Sequence, residues 1–99
     1  MKREVRIIRS AQRDLSEIAA YLRCDTPAAA ERTLDELLGG IDRLGLLPES
    51  GPVPRDPRLA RLGFRYLARG RYLVFYKVTS AQVRIYRVVH ERRAYERLL

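Results

Sequence analysis

The 99-residue chain has one cysteine, one histidine, one methionine and no tryptophan. A single cysteine excludes an internal disulfide. One cysteine and one histidine also exclude a standard zinc site, which takes four ligands chiefly from those types. Cys24 is therefore expected to be a partly buried, small apolar residue near a helix end. No apolar run approaches the ~20 residues that span a bilayer. The N-terminal MKREVRIIRS lacks the apolar stretch, roughly 7–15 residues long, of a secretory signal. The expectation is a cytosolic protein with no membrane contact. Acidic residues are the last scarcity, and it is local. Residues 55–99 hold 12 Lys and Arg against 3 Asp and Glu, whereas residues 1–54 hold 8 against 9. The net charge of +8 thus sits in the second half. A directed positive surface of this kind selects an anionic partner: nucleic acid, an acidic protein segment or an anionic membrane.

The composition is otherwise that of one globular domain over residues 1–99, 46% hydrophobic and without low-complexity segments. Residues 5–9 read as a short strand around Val5, Ile7 and Ile8. Ser10 is placed to cap a helix whose apolar stripe is Ala11, Leu15, Ile18, Ala19 and Leu22. Asp25-Thr26-Pro27 breaks it and starts a second helix, with Thr26 as cap and Pro27 at the first helical position. The second stripe is Ala30, Leu34, Leu37, Leu38, Ile41 and Leu44. Gly39-Gly40 interrupts it at a cost of about 1 kcal/mol per glycine, which a close helix–helix contact or a kink would explain. Gly45 and Pro48 end it. Residues 47–57, with four prolines and a glycine, form a surface loop. Strands follow at 64–67, 71–78 and 82–89, the last two joined by a turn at 79–81.

The order β-α-α-β-β-β specifies an α+β, two-layer domain. A helix hairpin lies on one face of a mainly antiparallel four-stranded sheet. Alternation along the last strand sets Val83, Ile85, Arg87 and Val89 on one face and Arg84, Tyr86, Val88 and His90 on the other. The face away from the helices is expected to be open, with mixed aromatic, apolar and basic character.

In this order the chain resembles the RelE/ParE superfamily of toxins from bacterial type II toxin–antitoxin systems. The resemblance spans nearly the full length. It rests on Ala11, Asp14, Leu15, Ile18, Tyr21 and Leu22 in the first helix, and on Pro27, Ala29 and Ala30 opening the second. It continues through Leu-Leu-Pro-Glu-x-Gly at residues 46–51, then Phe64, Arg65 and Gly70-Arg-Tyr-Leu-Val-Phe-Tyr76. It ends on Arg87-Val-Val-His90 and Arg93. The helix hairpin and the Val-His-x-x-Arg ending look more like the ParE branch. That resemblance implies inhibition of DNA gyrase without cofactor. It also implies silencing by a cognate antitoxin and a higher-order toxin–antitoxin assembly. The alternative it implies is the RelE type, a ribosome-dependent mRNA endonuclease. A third reading is a basic binding domain without toxicity.

Cutting RNA through the ribose hydroxyl needs a group to take a proton, charge to stabilise the phosphate and a group to protonate the leaving oxygen. Arg65, Arg92 or Arg93 could supply charge, His90 could move protons near neutral pH, and Tyr95 could act as acid or stacking surface. RelE-type members carry two lysines where this chain has Phe64-Arg65-Tyr66-Leu67, and an arginine where it has Leu73. Arginine itself stays protonated and is a poor proton shuttle. The expectation is therefore a binding inhibitor, with Arg65, Arg71, Arg87, His90, Arg92 and Arg93 contacting target or antitoxin. The antitoxin segment is expected to be acidic, partly apolar and C-terminal, and to cover the sheet or the helix-hairpin groove. Structural roles compete: Arg65 could pair with Asp14 or Glu17, and His90 could simply pack.

Overall fold

Apolar alternation and two helical stripes build the domain in the expected order. The structure, a computed structural model, describes residues 2–93. The elements are β1 (Glu4–Ile7), α1 (Arg9–Asp25), α2 (Pro27–Arg43), α3 (Pro57–Arg61), β2 (Arg65–Arg69), β3 (Tyr72–Val78) and β4 (Gln82–His90), then a single 3-10 turn (Glu91–Arg93). The sheet order is β1-β4-β3-β2. β1 runs parallel to β4, and the other two pairings are antiparallel. No helix among the described residues is long and apolar enough to cross a membrane.

α1 and α2 cover one sheet face. Their stripes meet Val5, Ile7, Val74, Tyr76, Val83, Ile85 and Val88 in the main core. Leu37, Ile41 and Leu44 are almost wholly buried there, each stabilising by about 1.5–3 kcal/mol. Leu38 does not join them and is 46% exposed. It lies on the flank of the stripe. Gly40 has a different use from the expected helix–helix contact. A Cβ there would lie 2.8 Å from Arg69 Nε and 3.1 Å from Leu67 Cδ2, so the glycine lets α2 approach β2. Cys24 is exposed rather than partly buried, because it lies off the stripe of α1.

The opposite face is not left open. The segment after the proline-rich loop folds into α3, a helix the sequence reading missed. Asp56 caps it by accepting the Arg58 N–H at 2.9 Å, and Pro57 occupies its first turn. α3 lowers Leu59 onto Phe75 and Val89, with Phe64, Tyr66 and Leu73 around them. This second cluster covers part of the outer face.

β4 also breaks the simple alternation. Phe75 pairs with Arg87 and Tyr76 with Ile85, so Tyr86 has no partner on β3. This β-bulge shifts the parity of everything after it. Val83, Ile85 and Val88 therefore enter the main core, whereas Val89 joins the second cluster. The expected sharing of one face by Val83, Ile85, Arg87 and Val89 fails for that reason.

Candidate functional site

The bulge frees polar groups, and α1 satisfies them. Ser10 and Asp14 lie four residues apart, on one face of the helix. Ser10 is not the cap that its position suggests: Ile8 occupies that position, with no side-chain capping bond. The Ser10 hydroxyl instead donates to the Tyr86 carbonyl at 2.7 Å. Asp14 accepts the Val88 N–H at 2.9 Å and both arms of Arg87, at 2.7 Å from Nε and 3.2 Å from Nη2. Hydrogen bonding to Asp14, outweighing partial burial, raises the guanidinium pKa above its ordinary value. Arg87 is a fixed charge.

Beyond this pair, α1 and the ends of β3 and β4 enclose a groove of about 910 Å³. Its helix wall carries Glu17 and Asp25, with Glu36 from α2. Its strand wall carries Arg69, Arg71 and Arg92. Ile18, Leu22 and Val88 contribute apolar surface between them. The groove thus has an acidic wall, a basic wall and an apolar stretch, and Tyr21 projects at its edge, 63% exposed.

His90 is half-buried in this groove. Its ring meets Tyr72 edge to face, with centroids 5.6 Å apart. Its Nδ1 accepts the Arg92 N–H at 3.2 Å, which assigns the remaining proton of a neutral ring to Nε2. Burial, and secondly Tyr21, push the Tyr72 phenol above its usual pKa. Tyr72 is thus a packed wall and no base at neutral pH.

Arg65 lies elsewhere. It faces Tyr76 across the β2–β3 ladder, whereas His90 faces Tyr72. Four residues of strand, roughly 13 Å, separate the two positions. Arg65 does not pair with Asp14 or Glu17. Its Nη1 donates to the Gly51 and Glu49 carbonyls at 2.8 and 3.3 Å, and Nη2 lies 3.9 Å from the exposed Glu49 carboxylate. The Gly51 N–H donates to the buried Tyr76 hydroxyl at 3.0 Å. Arg65 and Tyr76 together fasten the proline-rich loop to the sheet.

Of the residues singled out from the sequence, Arg71, Arg87, His90 and Arg92 come together in the groove, and Arg65 does not. Arg93 ends the 3-10 turn, and Tyr95 lies outside the described residues. Sequence reading missed the acidic wall. Its signal was an acid flanking the apolar stripe of each helix, a pattern that any solvated helix shows. Among the described residues no cluster of His, Cys, Asp and Glu could hold a metal. The groove can bind a mixed-charge, partly apolar segment.

Comparison with known proteins agrees with this architecture. A family model described as the ParE toxin of the type II toxin–antitoxin system, parDE, matches residues 5–95. A chain from the chromosomal ParDE toxin–antitoxin system of P. aeruginosa superposes with a TM-score of 0.73 at 18% identity, covering 90% of this chain and 96% of that one. A chain from the toxin–antitoxin complex RelBE2 of Mycobacterium tuberculosis gives 0.59 at 26% identity, covering 91% and 99%. No curated protein matches the sequence.

Proposed function

From the premise that the chain belongs to the ParE toxin family of type II toxin–antitoxin systems, we propose that it inhibits DNA gyrase by binding and so blocks replication in the cytoplasm. A cognate antitoxin keeps it silent by laying a partly apolar, acidic segment into the groove. The apolar residues of that segment meet Ile18 and Leu22 and supply most of the affinity. Its acids meet Arg71 and Arg92 and steer the encounter. The toxin–antitoxin systems from which the similar structures come support this reading.

One observation carries the preference for binding over cleavage: two of the cations that a nuclease could use are committed to structural partners. Arg87 is locked on Asp14 and Arg65 on the loop backbone. Leu73, where RelE-type members carry an arginine, packs beside Leu59 in the second cluster. The mRNA endonuclease keeps one supporting observation, the presence of His90 beside Arg71 and Arg92 in a single groove.

Brief expression followed by pulse labelling separates the two. Gyrase inhibition stops DNA synthesis first and raises a DNA-damage response. Early loss of translation with DNA synthesis intact would overturn the gyrase reading, and so would the absence of any growth effect.

A further inference from the structure

The strand register places three cations in one row on the outer face of the sheet. Arg6 on β1 is paired with Arg84 on β4, and Arg84 with Lys77 on β3. On each strand the neighbours of these residues, Val5, Ile7, Val83, Ile85, Tyr76 and Val78, turn to the main core. Arg6 and Arg84 are exposed, and Lys77 is half-buried. None of the three has an ion-pair partner among the described residues. Arg84 Nε donates to the neutral Gln82 side chain at 3.0 Å. The next pair on the same face brings the carboxylate Glu4, which accepts from Gln82 Nε2 at 2.6 Å.

Like charges set directly opposite across a sheet destabilise it. Here the arrangement occurs twice in succession, with no interleaved acid. Lys77 is also held in place rather than splayed into solvent. Its ammonium lies 4.6 Å from the Phe64 ring centre and 5.2 Å from that of Tyr86. Those rings brace each other edge to face. A row that disfavours the free protein, yet keeps one of its cations placed by aromatic rings, is suited to a polyanion.

We infer that this row is a nucleic-acid phosphate-backbone site, separate from the groove and independent of the toxin's target. The row spans two inter-strand gaps, roughly 10 Å. Over that length of axis one duplex strand presents about three phosphates, one per about 3.4 Å. A protein segment would need an apolar seat as well, and α3 already fills the apolar part of this face with Leu59. A phosphate backbone needs only the charge. Contacts to the phosphate backbone carry no base information, so this mode of binding is independent of sequence.

Fluorescence anisotropy of the purified protein with a short labelled duplex, and with its single strand, tests this between roughly 50 and 200 mM salt. Three phosphate contacts give a log–log salt slope of about −3 on the duplex. The Arg6→Ser/Arg84→Thr variant removes about two from that slope and weakens binding more than about tenfold at the lower salt. Its melting temperature is held or raised, because a like-charge pair has gone. The charge-matched Arg32→Gln/Arg43→Gln variant, altered on exposed helix positions, keeps the slope. Equal loss in both variants would overturn the site in favour of diffuse attraction. Absence of salt-dependent binding would overturn it as well. Binding of labelled poly-glutamate but not of DNA would assign the row to an acidic protein surface and overturn the nucleic-acid reading.

Discussion

Arg87 on β4 and Asp14 on α1 form a bidentate ion pair, 2.7 Å at its shorter contact, across a sequence separation of 73 residues. The pair closes over a β-bulge, and the same carboxylate also takes the Val88 N–H. The Asp14 side chain is 12% exposed and that of Arg87 33%. Removing the acid therefore leaves a partly buried charge and a backbone donor without partners.

Asp14→Ala should accordingly destabilise the fold by about 2–4 kcal/mol in urea unfolding. Asp14→Asn keeps one acceptor and should cost roughly half as much. An Arg87→Leu/Asp14→Leu double variant should recover part of the loss, since it leaves no charge stranded. If the Asp14→Ala protein unfolds at the wild-type midpoint, the pair is not what secures β4 to α1.

The loop fastening makes a second prediction. Tyr76 is wholly buried, and burial raises its phenol pKa above 10.0, a rise that the Gly51 hydrogen bond and Arg65 offset only in part. Tyr72 is raised chiefly by burial as well. In each case the folded state holds its proton more tightly than the unfolded chain. The stability from these groups is thus fully present below the unfolded value near 10 and is lost as pH rises from there toward the folded value. Unfolding free energy should fall with pH in that alkaline window. Tyr76→Phe should flatten the fall while costing about 1–2 kcal/mol at neutral pH through the unpaired Gly51 N–H. Gly51→Ala should cost more, since its methyl would meet the Tyr66 carbonyl and lie 2.6 Å from the Tyr76 hydroxyl. An alkaline slope unchanged in Tyr76→Phe would contradict this account.

Much of this organisation was legible in the sequence because it depends on periodicity. The stripe through Leu37, Ile41 and Leu44 marked the buried face of the second helix, and the turn at 79–81 marked the reversal between two strands. What stayed hidden depends on register. The bulge at Tyr86 is set by one residue of offset between β3 and β4, and no local pattern announces it. Parity, and with it the placement of Arg87, Val88 and Val89, follows from that offset. α3 escaped because five residues are too few to show a stripe, although Asp56-Pro57 was a legible start signal. The commitment of Arg65 to Gly51 was hidden for another reason: a carbonyl acceptor carries no side-chain signature.

The division of the arginines gives a third prediction. Arg71 and Arg92 are exposed in the groove, whereas Arg65 holds the loop. Arg71→Glu/Arg92→Glu should leave the melting temperature close to wild type and weaken antitoxin binding by about tenfold or more, an effect that grows at low salt. Arg65→Lys should do the reverse. It lowers stability by about 1 kcal/mol, because an ammonium does not reproduce a planar guanidinium whose Nη1 reaches both carbonyls while Nη2 lies toward the Glu49 carboxylate, and leaves antitoxin affinity nearly unchanged. Calorimetry on both variants, with and without antitoxin, reads the two effects separately. Loss of affinity in Arg65→Lys at full stability would place Arg65 in the interface.

His90 divides binding from catalysis most sharply. Its Nδ1 is occupied by the Arg92 N–H and its ring by Tyr72, so its geometry is that of a packed strand end. Glutamine can accept the same N–H and nearly fill the space, but it cannot exchange a proton near neutral pH. His90→Gln should therefore remain toxic, with growth inhibition within about twofold of wild type at matched expression. A general base or acid at this position would instead contribute about 10²–10⁴-fold to the reaction rate. Toxicity would then collapse in His90→Gln with the fold intact. Pairing that variant with pulse labelling makes the outcome specific. Retained toxicity with DNA synthesis lost first leaves His90 a structural residue. Abolished toxicity, in a protein whose parent stops translation first, makes it the proton-transfer group of an mRNA endonuclease.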